Sequence, residues 1–140
     1  MSNLKPHYLC LTSGLMLISL IIYFLTNEIN LEKNVLAFSL FLCFIFSQLF
    51  WYNPIENSVI HKIDANIAKI NVFLFVFFVL FYKKISLWVK SLFILLGVLS
   101  IIAFYRSDCF SRKEWCCDDH LINHGLLHIA GFFGSLYVFL

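Results

Sequence analysis

The sequence predicts an all-α, polytopic integral membrane bundle of about five transmembrane helices. The first observation is composition: 61% of the 140 residues are hydrophobic and 13% are charged, whereas soluble domains are about half apolar and a quarter charged. The second is punctuation, because five apolar runs of about 18 residues or more are separated by short polar stretches. The third is run length. Each run suits a helix crossing a hydrocarbon core of about 30 Å at 1.5 Å per residue, and is about twice the length of a membrane barrel strand. Backbone groups in lipid must be satisfied internally, which favours helices throughout. One domain covering residues 1–140 is expected. The formal charge of +2 is too small and too dispersed for a nucleic-acid partner, and no repeat or low-complexity run is visible.

The first span is placed at residues 8–26, after a polar arm holding Lys5 and His7. It is too long for a secretory h-region and no small-x-small cleavage site follows, so it reads as a retained helix. Residues 27–34 form a polar loop, and the second span occupies residues 35–52. Its end carries Ser47, Gln48, Trp51 and Tyr52, and Asn53-Pro54 stops it because proline disfavours helical geometry in the residue before it. A polar connection through His61 and Asp64 leads to a third span at residues 65–82, where Lys69 is close enough to the start to snorkel. Lys83-Lys84 mark a turn into the fourth span, residues 87–105. Residues 106–119 read as the most polar loop and contain Cys109, Cys116 and Cys117, and residues 120–140 make the fifth span.

The last span holds three of the five histidines, His120, His124 and His128. Spaced at i, i+4 and i+8, they share an arc of about 80° on a helix. An i, i+4 pair stacks two imidazoles one turn apart, so that both can reach one metal ion. With five spans, the N-terminal arm, the second-to-third connection and the fourth-to-fifth loop lie on one side of the membrane. Ser47, His61, Asp64 and the histidines then fall at one level. Positive charge is slightly in excess on that side, which favours a cytoplasmic N-terminus and site.

Ionisable groups within a bilayer cost about 2.5–3.5 kcal/mol each on insertion scales, so intramembrane polar residues suggest function. His124 and His128 are the expected zinc ligands, with a third donor from another helix and water in the open position. Zinc lowers the bound water's pKa towards about 7. Asp64 then serves as general base or as orienter of a ligand, and Ser47 stabilises the oxyanion or holds the water. Such a site fits a hydrolase whose substrate arrives from lipid. His120 is a further candidate ligand or a solvated residue at the loop. The cysteines of the loop match no common zinc spacing. Cys10 and Cys43 read as packing residues, Gly131 and Gly134 as sites of close helix approach, and Trp51, Tyr52 and Tyr105 as an interfacial aromatic belt.

The run from His124-Gly-Leu-Leu-His128 through Ile-Ala-Gly-Phe-Phe-Gly-Ser-Leu-Tyr resembles the last helix of the alkaline ceramidases. These belong, with the adiponectin and progestin receptors, to the CREST superfamily of membrane hydrolases. The family pattern is a serine in the second helix, an aspartate near the third and HxxxH in the last. Ser47, Asp64, His124 and His128 match it in order. The family's third zinc histidine lies four residues after the serine, where this chain has Trp51. His61, in Ser58-Val-Ile-His61-Lys-Ile-Asp64, resembles the histidine of another branch and is the expected replacement. The family usually has seven helices, and this chain has room for five. The resemblance implies zinc as cofactor and a sphingolipid-like or other acyl lipid as substrate, cleaved at an amide or ester. Two further classes fit the same residues. One is a non-catalytic receptor or assembly protein retaining a degraded metal site, favoured by Trp51. The other is a haem carrier ligated by His61 and His128.

Overall fold

A computed structural model describes residues 5–26 and 30–140. Residues 1–4 of the polar arm and residues 27–29 of the first polar loop lie outside the described residues. Among the described residues the chain forms five α-helices and no strand: α1 His7–Leu25, α2 Leu31–Tyr52, α3 Val59–Phe81, α4 Leu87–Lys113 and α5 Asp118–Phe139. All five are long and apolar enough to cross a membrane, the pattern of a multi-pass integral membrane protein.

Three helices extend beyond the ends expected from hydropathy, each for a local reason. α2 starts at Leu31 rather than at residue 35, because Asn30 is extended and its side chain accepts from the Lys33 backbone N–H at 2.7 Å. α3 starts at Val59 rather than at residue 65, because the Ser58 hydroxyl accepts from the His61 N–H at 3.1 Å. His61 and Asp64 therefore sit on a helix and not in a connection. α4 continues to Lys113 rather than ending at residue 105. Arg112 pairs with Asp108 one turn back at 2.8 Å, and Arg112 and Lys113 lie in the last turn, where the helix dipole favours cations. The expected fourteen-residue loop thus contracts to residues 114–117, and Cys116 takes the left-handed conformation (φ 59°) that reverses the chain. Asp118 and Asp119 open α5 at its electropositive end.

Around the bundle the helices follow the order α4, α5, α1, α2, α3, each packed on the next, while α3 and α4 touch only slightly. The result is an open ring with a gap between α3 and α4. One end is filled by Leu20 and Tyr23 of α1, Leu36 of α2, Val79 of α3 and Phe139 of α5. Lys83 supports the last turn of α5 by donating to the Tyr137 carbonyl. Polar cross-links hold the ring together where burial against lipid-like surroundings supplies little drive. Gln48 Nε2 donates to the Cys10 carbonyl at 2.7 Å and to Ser13 Oγ at 2.8 Å, joining α2 to α1. Ser135 Oγ donates to Ser19 Oγ at 2.9 Å, joining α5 to α1. Asn71 and Ser39 exchange two bonds of 3.0 Å between α3 and α2.

Candidate functional site

Inside the open ring lies a cavity of about 520 Å³. Its polar lining includes Ser47 of α2, Asp64 of α3, and His124 and His128 of α5. The structure thus brings four of the five expected site residues to one space, from three helices. Helical phase explains the convergence. Cys43 and Ser47 are one turn apart on α2, as are His124 and His128 on α5, so each pair presents one face. The lining continues along α5 through Gly131 and Gly134 to Ser135, eleven residues beyond His124 and about 16 Å away at 1.5 Å per residue. Phe73 of α3 and Ile101 of α4 line the cavity and are also 67% and 63% exposed, so it opens through the α3–α4 gap onto the outer apolar surface.

His128 is buried, and both of its ring nitrogens are engaged by hydroxyls. Nε2 lies 3.2 Å from Ser47 Oγ, and Nδ1 lies 2.8 Å from Thr12 Oγ1. Ser47 is 1% exposed, and His128 is its one hydrogen-bond partner among the described residues. His124 stands edge-on to His128 with ring centroids 5.1 Å apart, and its Nδ1 is 3.4 Å from Ser107 Oγ. Asp64 is 4% exposed and has no hydrogen-bond or ion-pair partner among the described residues, so its carboxyl is available to whatever occupies the cavity.

His61 is not brought to this group. Its ring stacks on Phe50 (centroids 4.7 Å apart, planes 3° apart), meets Trp115 edge-on at 5.2 Å, and accepts from the Asn57 N–H through Nδ1 at 3.2 Å. In the first turn of α3, nearly one turn closer to the helix start than Asp64, it lies beyond the end of the cavity and joins the aromatic cluster there. His120 is also outside the cavity lining: buried beside Trp51 and Trp115, it accepts from the Cys116 N–H at 3.2 Å. Among the described residues no three His, Cys, Asp or Glu side chains are grouped to hold a metal ion. Protein zinc sites generally use at least three donors. His124 and His128 offer two imidazoles, and His128 already has both nitrogens bonded to hydroxyls. The arrangement as it stands therefore does not fit a zinc centre built on His61, His124 and His128. It likewise places His61 and His128 in different surroundings, which is not the facing pair a haem would need.

Two residues carry more of the site than their sequence suggested. Trp51, expected in an interfacial belt, is fully buried, with its ring 4.7 Å from that of His124 and its Nε1 without an acceptor among the described residues. Tyr52 and Tyr105 are exposed, as belt residues would be. Thr12 is one of several hydroxyls in the first span, with Ser13 and Ser19, and nothing in the sequence singles it out. In the comparisons with known proteins, no family model, no curated protein and no solved structure matches this chain.

Proposed function

We propose that the protein is an intramembrane acyl hydrolase, in which Ser47 attacks the ester or amide carbonyl of a lipid that enters between α3 and α4. The observation that carries this reading is the Ser47 Oγ to His128 Nε2 contact of 3.2 Å, which opens on the cavity beside the unpaired carboxyl of Asp64. A nucleophilic hydroxyl next to an imidazole that is itself oriented by a third group is the general arrangement for covalent acyl transfer. As Ser47 Oγ bonds to the carbonyl carbon, its proton passes to His128 Nε2. The tetrahedral oxyanion collapses, the bond to the leaving oxygen or nitrogen breaks, and His128 returns the proton to that atom. Water then hydrolyses the acyl-Ser47 ester by the same proton route in reverse order, releasing a fatty acid. Asp64 accepts a hydrogen bond from a hydroxyl or N–H on the lipid's polar end. His124, the imidazole next to His128, is assigned the carbonyl oxygen. The apolar lining from Met16 to Gly134 suits an acyl chain.

A second reading is the zinc hydrolase of the resemblance. It is favoured by the adjacency of the His124 and His128 rings at the cavity wall. Zinc would supply an activated water there. The two readings separate in one experiment: the protein in lipid nanodiscs, given fluorogenic acyl esters and acyl amides with and without 1,10-phenanthroline, with its metal content measured. Turnover that survives the chelator and disappears in Ser47→Ala supports the serine reading. One zinc per chain, lost in the His124→Ala/His128→Ala double variant together with activity, supports the zinc reading. Absence of turnover on both substrate classes contradicts the two alike.

A further inference from the structure

We infer that Thr12 of α1 is a positioning residue that fixes His128 as the tautomer protonated at Nδ1, leaving Nε2 free to accept the Ser47 proton. The catalytic side of this inference rests on the acyl-transfer reading, whereas the tautomer itself does not.

The number of hydrogens and acceptors in a buried chain of groups selects the tautomer. Thr12 Oγ1 lies 3.2 Å from the Leu9 carbonyl and 2.8 Å from His128 Nδ1, while Ser47 Oγ lies 3.2 Å from His128 Nε2. A hydroxyl has one hydrogen to donate, and a neutral imidazole has one N–H and one lone pair. With the proton on Nδ1, Thr12 donates to Leu9, His128 Nδ1–H donates to Thr12, and Ser47 donates to His128 Nε2. Three hydrogens then meet three acceptors. With the proton on Nε2, Thr12 must donate to Nδ1 and His128 must donate to Ser47. The Ser47 hydrogen is left with no acceptor among the described residues, and the Leu9 carbonyl loses its bond from Thr12. An unmade bond at a buried donor is costly, so the chain selects the first arrangement.

The surroundings hold Thr12 in place for this purpose. Gln48, next to Ser47 in sequence, bonds the Cys10 carbonyl and Ser13 Oγ, which flank Thr12 on α1. The two hydroxyls that bracket the imidazole are thereby carried on helices clamped at the same level. Thr12 itself is 8% exposed, which keeps water from replacing its hydroxyl easily.

The test uses the full chain in nanodiscs with 15N-labelled histidine, the His128 resonances being identified by their disappearance in His128→Gln. The expected wild-type spectrum shows a protonated Nδ1 and an unprotonated Nε2. In Thr12→Val, which keeps shape and removes the hydroxyl, the His128 proton redistributes towards Nε2, and labelling of Ser47 by an acyl fluorophosphonate slows by about 10²-fold, the lower range for loss of a general base. Thr12→Ser restores both readouts, which a purely space-filling role would not. A wild-type His128 protonated at Nε2, or an unchanged tautomer in Thr12→Val, overturns the inference. A tautomer shift without labelling in any variant supports the positioning role and instead removes the acyl-transfer reading.

Discussion

Ser47→Ala is the perturbation with the sharpest pair of consequences. Ser47 is buried, and its hydroxyl makes a single 3.2 Å bond, to His128 Nε2. Truncation to Ala creates almost no cavity, since one oxygen is lost. The stability cost is that of leaving the Nε2 lone pair without its donor, about 1–3 kcal/mol for a buried group. The lost bond is long at 3.2 Å, so the lower end of the range is expected, about 1 kcal/mol. The thermal midpoint in detergent should therefore fall by only a few degrees. Activity should fall far more, because the nucleophile is gone: by at least about 10³-fold in kcat/KM. The assay is turnover of a fluorogenic acyl ester in nanodiscs beside a melting curve on the same preparation. A Ser47→Ala protein that retains activity within tenfold of wild type, with a melting curve similar to the one expected, would refute the assignment of Ser47 as nucleophile.

The other expectations concern the same face of the bundle and its end. Gly134→Ala places a Cβ 3.7 Å from the nearest Phe93 atom, ordinary contact, so it should be neutral or stabilising by up to about 1 kcal/mol of helix propensity; Gly125→Ala brings a Cβ to 3.0 Å from Tyr8 and should melt lower than Gly134→Ala, a ranking read from thermal scans and contradicted by the reverse order. Trp51→His sets a third imidazole beside the His124 and His128 rings, where Trp51 now stands 4.7 Å from His124, and should raise bound zinc towards one per chain by elemental analysis; unchanged zinc would count against that geometry. The Cys116 thiol is pushed up to about 11, first by burial and then by neighbouring Cys117 and Glu56. At pH 8 its thiolate fraction is about a thousandth, so its alkylation by iodoacetamide should accelerate about tenfold per pH unit between 8 and 10, followed by peptide mass spectrometry; a rate flat with pH would contradict it.

Helix number was legible because it depends only on the length and apolarity of the runs, and five such runs became five helices. Helix ends were not, because the residues that cap and extend them are polar. Asn30 and Ser58 look like loop residues by hydropathy but cap helices by hydrogen bonding, and residues 106–113 continue α4 with an ion pair rather than with apolar side chains. His61 was expected as the third ligand from its depth and from the resemblance of its surrounding string to another branch of the family; neither shows which neighbours a ring packs on, and on α3 it is committed to Phe50 and Trp115. The convergence of Ser47, Asp64 and His124 was foreseeable from depth, since each lies within about two turns of a helix end on one side of the bundle, and His128, at the middle of α5, follows one turn deeper on the same face as His124. Thr12 was not foreseeable. A threonine in an apolar span can satisfy itself on its own backbone, and only the packing of α1 against α5 shows that it also reaches His128. Trp51 was misplaced for a related reason: a tryptophan at a span end usually faces the membrane interface, but here His120 packs on the Trp51 ring and Trp115, bonded to the Pro54 carbonyl, packs against the same buried cluster.

The most direct test of Ser47 as the nucleophile is to treat the protein in nanodiscs with a long-chain acyl fluorophosphonate and map the adduct by peptide mass spectrometry. The serine reading predicts one adduct per chain on Ser47, strongly reduced in His128→Gln and unaffected by 1,10-phenanthroline. An adduct confined to other residues, or no adduct in a preparation that hydrolyses acyl lipids, would contradict it.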